Sequence, residues 1–190
     1  MLRHVYQAGI LTIFNSASSK PLQLWCISAK SKGLVELEDD DKTDCPVLRL
    51  ESAELASTFI SLPRQTTQSL GVKLPYMVMI VKNTDHLFSF EVEIVDDQEQ
   101  VRRLRTANYE SDSRIDYDVS CLPLRLDCGW NYLTLDLGRM TSRIYGTVFK
   151  EVHRVTVHAS ACLRLIFFAD RIIPENQLPA ELRLYGKKEE

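Results

Sequence analysis

Five arginines stand out as side chains that could bind a partner. Arg102, Arg103 and Arg105 lie together in the segment VRRLRTANY, and Arg139 and Arg143 lie four positions apart in a later segment. A guanidinium group presents a planar fork of donors that matches a carboxylate and forms two parallel hydrogen bonds with it. These residues therefore offer the chemistry for recognising an acidic protein surface.

Each group of arginines also has an interpretation that needs no partner. The first three would form an exposed strand face that pairs with Glu91 and Glu93 across a hairpin. The other two would share one face if residues 138–146 are helical, and a charged helix face is ordinarily solvated. The sequence leaves both alternatives open.

Residues that could catalyse a reaction or hold a metal are not arranged for either task. His153 and His158 are five positions apart, so in a regular strand they point to opposite faces and cannot share a metal. Asp96 and Asp97 fall in a predicted turn, where aspartate is common because it forms local hydrogen bonds. A hydrolase would need a second carboxyl across a cleft that the sequence cannot place. The chain also lacks a Gly-x-Ser-x-Gly elbow, a P-loop and a His-Glu-x-x-His motif, so we predict no catalytic residue, metal or cofactor.

Trp130 and Tyr132 suggest a different class of function, carbohydrate binding, in which flat aromatic rings would form a platform for sugars. Such rings would have to be exposed, whereas aromatic residues beside a turn are more often part of the core. A carbohydrate-binding module is therefore the alternative to a protein-binding scaffold.

Composition and charge restrict the remaining partners. The chain has 23 Lys and Arg against 26 Asp and Glu, a net charge of −3, whereas a dedicated nucleic-acid binder is strongly basic. No apolar run reaches the ~18 residues of a membrane span. The five cysteines form no Cys-x-x-Cys pair, and we expect Cys121, Cys128 and Cys162 to be small buried apolar residues. Acidic residues concentrate in 36–44, which we interpret as a solvated loop.

The apolar residues that must position these side chains follow the two-residue period of β-strands. Phe88, Phe90, Val92 and Ile94 alternate with polar residues, and residues 77–81 are continuously apolar, as in a strand covered on both faces. In the later segment CLRLIFFAD, one face carries three apolar side chains, Leu163, Leu165 and Phe167. We predict an all-β protein, residues 1–190 forming one jelly-roll-like β-sandwich domain with one short helix.

Residues 121–146 combine a predicted fold element with the second pair of arginines. The pattern indicates two strands joined by a tight Asp-Cys-Gly turn, and the second strand is apolar on both faces, which favours a central position. The period is lost from 138 to 146, which indicates one or two helical turns ended by Gly146 as a left-handed cap.

With these segments in place, the chain resembles the cilia- and flagella-associated protein 20 family. The matching blocks occur in order over nearly the whole chain and are weakest from 26 to 68. They are SKPLQLW at 19–25, LGVKLPYMVMIVKN at 70–83, F-x-F-E-V from Phe88, R-x-x-NY at 105–109, LD-x-GWN and R-x-YGT within 121–147, RVTVHA and LPAELRLY.

The resemblance implies a β-sandwich similar to carbohydrate-binding modules, no catalysis, and a structural role in the ciliary axoneme and basal body. It places the protein at the inner junction that joins the B-tubule to the A-tubule, and so implies a role in ciliary stability and motility. The implied partners are α/β-tubulin of the doublet microtubule, the Parkin co-regulated inner-junction protein and other axonemal proteins. No nucleic acid or membrane is implied.

Three positions depart from the family pattern, which usually has an acidic residue at Cys128, an arginine at Ser142 and a tyrosine at Phe149. Ser142 removes one cation from the segment that carries Arg139 and Arg143. That pair therefore becomes the testable contact, with Arg102, Arg103 and Arg105 as the second choice.

Overall fold

The computed structural model describes residues 1–30, 33–43 and 45–183. Within these ranges the chain forms thirteen β-strands, one α-helix and two short 3₁₀ helices. The strands are β1 (Ile10–Asn15), β2 (Cys26–Ala29), β3 (Leu34–Glu38), β4 (Val47–Glu51), β5 (Thr58–Leu62), β6 (Tyr76–Asn83), β7 (Ser89–Asp96), β8 (Val101–Ala107), β9 (Arg114–Ile115), β10 (Val119–Pro123), β11 (Gly129–Asp136), β12 (Phe149–His158) and β13 (Ala161–Ala169). The helix α1 spans Leu137–Tyr145, and the 3₁₀ helices are Glu175–Gln177 and Ala180–Leu182.

The strands form two sheets, which confirms the predicted β-sandwich. Sheet A has the order β11-β6-β13-β4-β3, and β1 also pairs with β13. Sheet B has the order β2-β5-β12-β7-β8-β10-β9. All neighbouring strands are antiparallel except β8 and β10, which run parallel. Of the helices that the structure describes, none is long and apolar enough to span a bilayer.

The sandwich is held by two layers of apolar side chains. The larger cluster fills the space between the sheets and includes Phe90, Val92 and Ile94 of β7, as their alternation predicted. The smaller cluster lies on the outer face of sheet A, where Leu178 and Leu182 of the C-terminal segment cover it. Strand β6 is therefore apolar on both faces, and its prediction as a doubly covered strand is confirmed.

The predicted hairpin within residues 121–146 is wrong. Strand β10 pairs with β8 and β9 in sheet B, whereas β11 pairs with β6 at the edge of sheet A, so β11 is not central either. The intervening loop crosses between the sheets. Asn131 holds it, because its Oδ1 accepts the Asp127 N–H at 2.8 Å and its Nδ2 donates to the carbonyls of Asp127 and Gly129.

Register shifts in β12 and β13 change which side chains face the core. Strand β12 has two register shifts, and the second lies between Val152 and Arg154, so Val152 is buried as well as Val155. In β13 the shift lies between Leu163 and Leu165, which places these two leucines in different apolar clusters. A bulge adds one residue to a strand and so reverses its alternation from that point onwards.

Candidate partner-binding surface

The three arginines of β8 do not form one exposed face, and the prediction that Arg102 is an exposed contact residue is wrong. Its side chain is 5% exposed and donates from Nε to Asp96 Oδ2 at 3.0 Å and from Nη1 to the Tyr117 carbonyl at 2.7 Å. Arg102 shares the inward-facing parity of Leu104, which accounts for its burial. Its role is structural.

Asp96 is the buried counter-charge of Arg102. Burial favours the neutral acid, but N–H groups of Gln100 and Gln98 and the guanidinium of Arg102 outweigh this effect and lower the pKa of Asp96. The local hydrogen bonds predicted for Asp96 are confirmed. The ion pair with Arg102 is a further finding, which the sequence pattern does not predict.

Arg103 and Arg105 lie on the outer face of sheet B and are already engaged by glutamates. Arg103 donates to Glu93 Oε1 from Nη2 at 2.8 Å and lies 3.5 Å from Glu91, while Arg105 Nε lies 3.8 Å from Glu91. Of the two alternatives that the sequence leaves open for these arginines, the structure contains the pairing with glutamates across the hairpin. A partner contact through these two arginines stays a prediction.

Glu91 lies on the same face, and its cationic neighbours explain why it remains charged. Its partial burial raises the pKa, but attraction from His158, whose Nε2 lies 3.6 Å away, and from Arg103 and Arg105 lowers it below its ordinary value. His158 thus lies within a charge network rather than a metal site. Among the residues described, no three His, Cys, Asp or Glu side chains converge as a metal-binding group.

Helix α1 confirms the predicted helical turns and presents the second pair of arginines to solvent. Asp136 caps its start by accepting the Arg139 N–H at 2.9 Å, and Gly146 ends it with φ of 69°. Leu137 and Thr141 face the core, and α1 packs against β6, β11 and β12. The opposite face carries the exposed side chains of Arg139, Ser142 and Arg143.

Arg139 and Arg143 are available for a partner. Within the described ranges neither side chain forms a hydrogen bond or ion pair, in contrast to Arg103 and Arg105. A guanidinium that has no internal counter-charge keeps its full donor capacity for an external carboxylate. Both side chains are exposed, and a partner contact through this pair stays a prediction.

Trp130 and Tyr132 do not form an exposed aromatic strip. Both are half-buried and pack against the outer cluster of sheet A, and the Trp130 indole donates to Asp40 Oδ1 at 3.2 Å. A sugar platform needs free ring faces, so this arrangement does not favour carbohydrate binding.

The acidic segment 36–44 is not simply a solvated loop. Glu38 ends strand β3 and pairs with Arg49, while Asp40 is a nearly buried carboxylate paired with Lys82. Burial alone would raise the pKa of Asp40, but the hydrogen bond with Lys82 and further donors lower it. Asp44 lies outside the described residues.

The three cysteines expected to be buried have different environments. Cys162 is buried, and its burial raises the pKa of its thiol to about 11, so the prediction is confirmed there. Cys121 is half-buried, and Cys128 is exposed at the tip of the loop between the sheets, so for Cys128 the prediction is wrong. An unreactive, protonated thiol is expected at Cys162.

Comparison with known proteins identifies relatives over almost the full length. The CFA20 domain matches residues 1–186. Proteins named Cilia- and flagella-associated protein 20 are similar in Caenorhabditis elegans, at 40% identity over 97% of this chain and 91% of the relative, and in Chlamydomonas reinhardtii, at 38% identity over 97% of each.

Among solved structures, a family 30 carbohydrate-binding module of a cellulosomal cellulase from Clostridium thermocellum is similar in fold. Its TM-score is 0.48 at 11% identity, covering 86% of this chain and 99% of the module. Similarity at this level carries no inference about sugars.

Proposed function

Because the chain belongs to the CFA20 domain family, we propose that it is a non-enzymatic structural protein of cilia and flagella. The observation that supports this function is the family match over residues 1–186, together with relatives named for cilia and flagella. In this proposal it lies at the inner junction of the doublet microtubule, in the axoneme and basal body. Its partners there are α/β-tubulin, the Parkin co-regulated protein and other axonemal proteins.

The proposed contact with tubulin is the exposed face of α1. Arg139 and Arg143 lie one helical turn apart there, and neither is neutralised within the described part of the chain. Tubulin presents acidic surfaces, to which two free guanidinium groups on a rigid support are complementary. The helix itself is fixed by the cap at Asp136 and by its buried residues, so little conformational entropy is lost on binding.

Charge reversal on α1 should weaken retention in the axoneme. We expect the double variant Arg139→Glu/Arg143→Glu to be extracted from isolated axonemes at a clearly lower salt concentration than the wild-type chain, because attraction to acidic partners becomes repulsion. The measurement is a salt-extraction series on axonemes in which the variant replaces the wild-type chain. Circular dichroism should show unchanged secondary structure, since both side chains are exposed and unpaired.

A matched control changes the total charge equally at another place. Lys20→Glu/Arg64→Glu also replaces two exposed cations, and neither forms an ion pair within the described ranges. This variant should be retained like the wild-type chain. Equal loss of both double variants would attribute the effect to net charge, and full retention of the α1 variant would move the contact to Arg103 and Arg105.

The cellular location is tested separately. A tagged full-length chain should be enriched in purified axonemes of ciliated cells. A chain that stayed diffuse in the cell body and was absent from axonemes would contradict the proposed function.

A further inference from the structure

A surface groove lies between the C-terminal end of α1 and the strand β9. Its volume is about 460 Å³. Ile144 and Tyr145 line one side, Ile115 and Tyr117 line the other, and the guanidinium of Arg102 contributes to its lining from within the fold. The groove is thus formed by three parts of the chain that are distant in sequence.

Large apolar side chains are exposed in and beside this groove. Ile115 is 56% exposed and Tyr117 is 66% exposed, and Val148, next in sequence to the groove residue Thr147, is 64% exposed. Single exposed apolar residues are common, but a group of them around a concave surface is typical of a protein-binding site. The groove therefore offers apolar contact area to a partner.

Tyr117 is held in place although most of its surface is exposed. Its ring centre lies 4.3 Å from the guanidinium carbon of Arg102, and the ring of Tyr145 lies 4.9 Å from the same carbon. The backbone carbonyl of Tyr117 also accepts a hydrogen bond from Arg102 Nη1 at 2.7 Å. An aromatic side chain that is ordered before binding loses little conformational entropy when a partner binds. Aromatic side chains of this kind are common among the residues that contribute most to binding energy.

The segment that carries Tyr117 is acidic, and this sets the charge of the partner. Arg114 pairs with Glu110 at 3.0 Å. The carboxylates of Asp112, Asp116 and Asp118 form no ion pair in the part of the chain that the structure describes. A partner that covers this rim must bring positive charge, since burying unpaired carboxylates is costly.

We propose that the groove is a docking site for a basic segment of another protein that carries a large apolar side chain. The apolar side chain lies between Tyr117 and Ile144, and neighbouring lysine or arginine residues lie over Asp116 and Asp118. This surface has the opposite charge to the exposed face of α1, so the chain can join two partners of different chemistry. The inference does not depend on the ciliary location proposed above.

The test is a selection of random 12-residue peptides displayed on phage against the folded full-length chain. We expect the enriched peptides to combine a large apolar residue with lysine or arginine. The dissociation constant of synthetic versions should rise about tenfold or more in Tyr117→Ser, because the variant loses the ordered aromatic contact. Ile115→Ser, within β9 on the same side of the groove, provides a second groove variant if Tyr117→Ser alters the fold.

Two further variants distinguish specific binding in the groove from non-specific binding elsewhere on the surface. Asp116→Asn/Asp118→Asn should weaken binding and reduce its salt dependence, because the attraction of opposite charges is lost. Ile172→Ser removes an equally exposed apolar side chain outside the groove and should leave binding unchanged. Enrichment of acidic peptides, absence of enrichment, or binding that survives both groove variants would overturn the proposal. Sedimentation showing self-association through Tyr117 would overturn it too, since the occupant would then be a second copy.

Discussion

Replacing Arg102 with methionine should lower the free energy of unfolding by about 3–5 kcal/mol, the usual effect of breaking a buried ion pair from one side. Asp96 would remain fully buried without its counter-charge, because its side chain is 0% exposed and that of Arg102 is 5% exposed. The variant would also lose the stacking of the guanidinium on Tyr117 and Tyr145. Chemical denaturation at neutral pH measures the change.

Arg103→Met is the matched control, because Arg103 lies next in the same strand and its side chain is 45% exposed. Its replacement should cost less than about 1 kcal/mol, since exposed ion pairs contribute little. Adding Asp96→Asn to Arg102→Met should recover part of the lost stability by removing the unpaired charge. Equal effects of the two single variants would contradict a structural role for Arg102.

The parts of the fold that could be predicted are those in which alternation continues without interruption. Strand β7 is regular, so Phe90, Val92 and Ile94 face the core as their spacing indicates. Helix α1 was predictable because Gly146, which adopts a left-handed conformation, ends it within nine residues. Local signals of this kind depend only on residues near one another in sequence.

The errors in strand pairing have a non-local cause. Alternation in residues 121–137 identifies two strands but does not say which strands they pair with, and β10 and β11 belong to different sheets. Likewise, nothing in the sequence near Arg164 marks the register shift that separates Leu163 from Leu165. Pairing and bulges are decided by the packing of the two sheets.

The candidate surfaces also differ in whether residues near one another in sequence are enough to predict them. Arg139 and Arg143 could be found from sequence because both lie on one short helix. Arg102 has the same parity as Leu104, a signal that could have placed it on the inward face. Burial of an arginine is unfavourable without a partner, and its partner Asp96 lies across a turn. The groove near Tyr117 could not be predicted, since its sides come from β9 and α1, about thirty residues apart in sequence.

The ion pair between Arg3 and Glu151 should make the stability of the fold depend on pH. In Arg3→Met the charge of Glu151 should change from stabilising to destabilising. Glu151 is 1% exposed and is bound by the guanidinium of Arg3 and, at 3.1 Å, by the Ser69 hydroxyl. Burial raises the pKa of Glu151, but these partners outweigh burial and lower it below the ordinary value of 4.5. The pair therefore stabilises the fold above that value, and the contribution is lost as the pH falls through the lowered pKa.

In Arg3→Met we expect burial to dominate, so the pKa of Glu151 rises above 4.5 and its charge destabilises the fold at neutral pH. The loss should be about 2 kcal/mol at pH 7, less than for a fully buried pair because the Arg3 side chain is 52% exposed. Protonation of Glu151 removes the penalty, so the gap between the unfolding free energies of variant and wild type should begin to narrow as the pH falls through the raised pKa of the variant. The gap should close only below the lowered pKa of the wild type. Denaturation curves between neutral and mildly acidic pH measure this convergence.

Arg171→Met, which breaks the exposed pair with Asp170, should show no such trend. A constant gap between Arg3→Met and the wild type over that range would mean that the charge of Glu151 is not the cause of the instability.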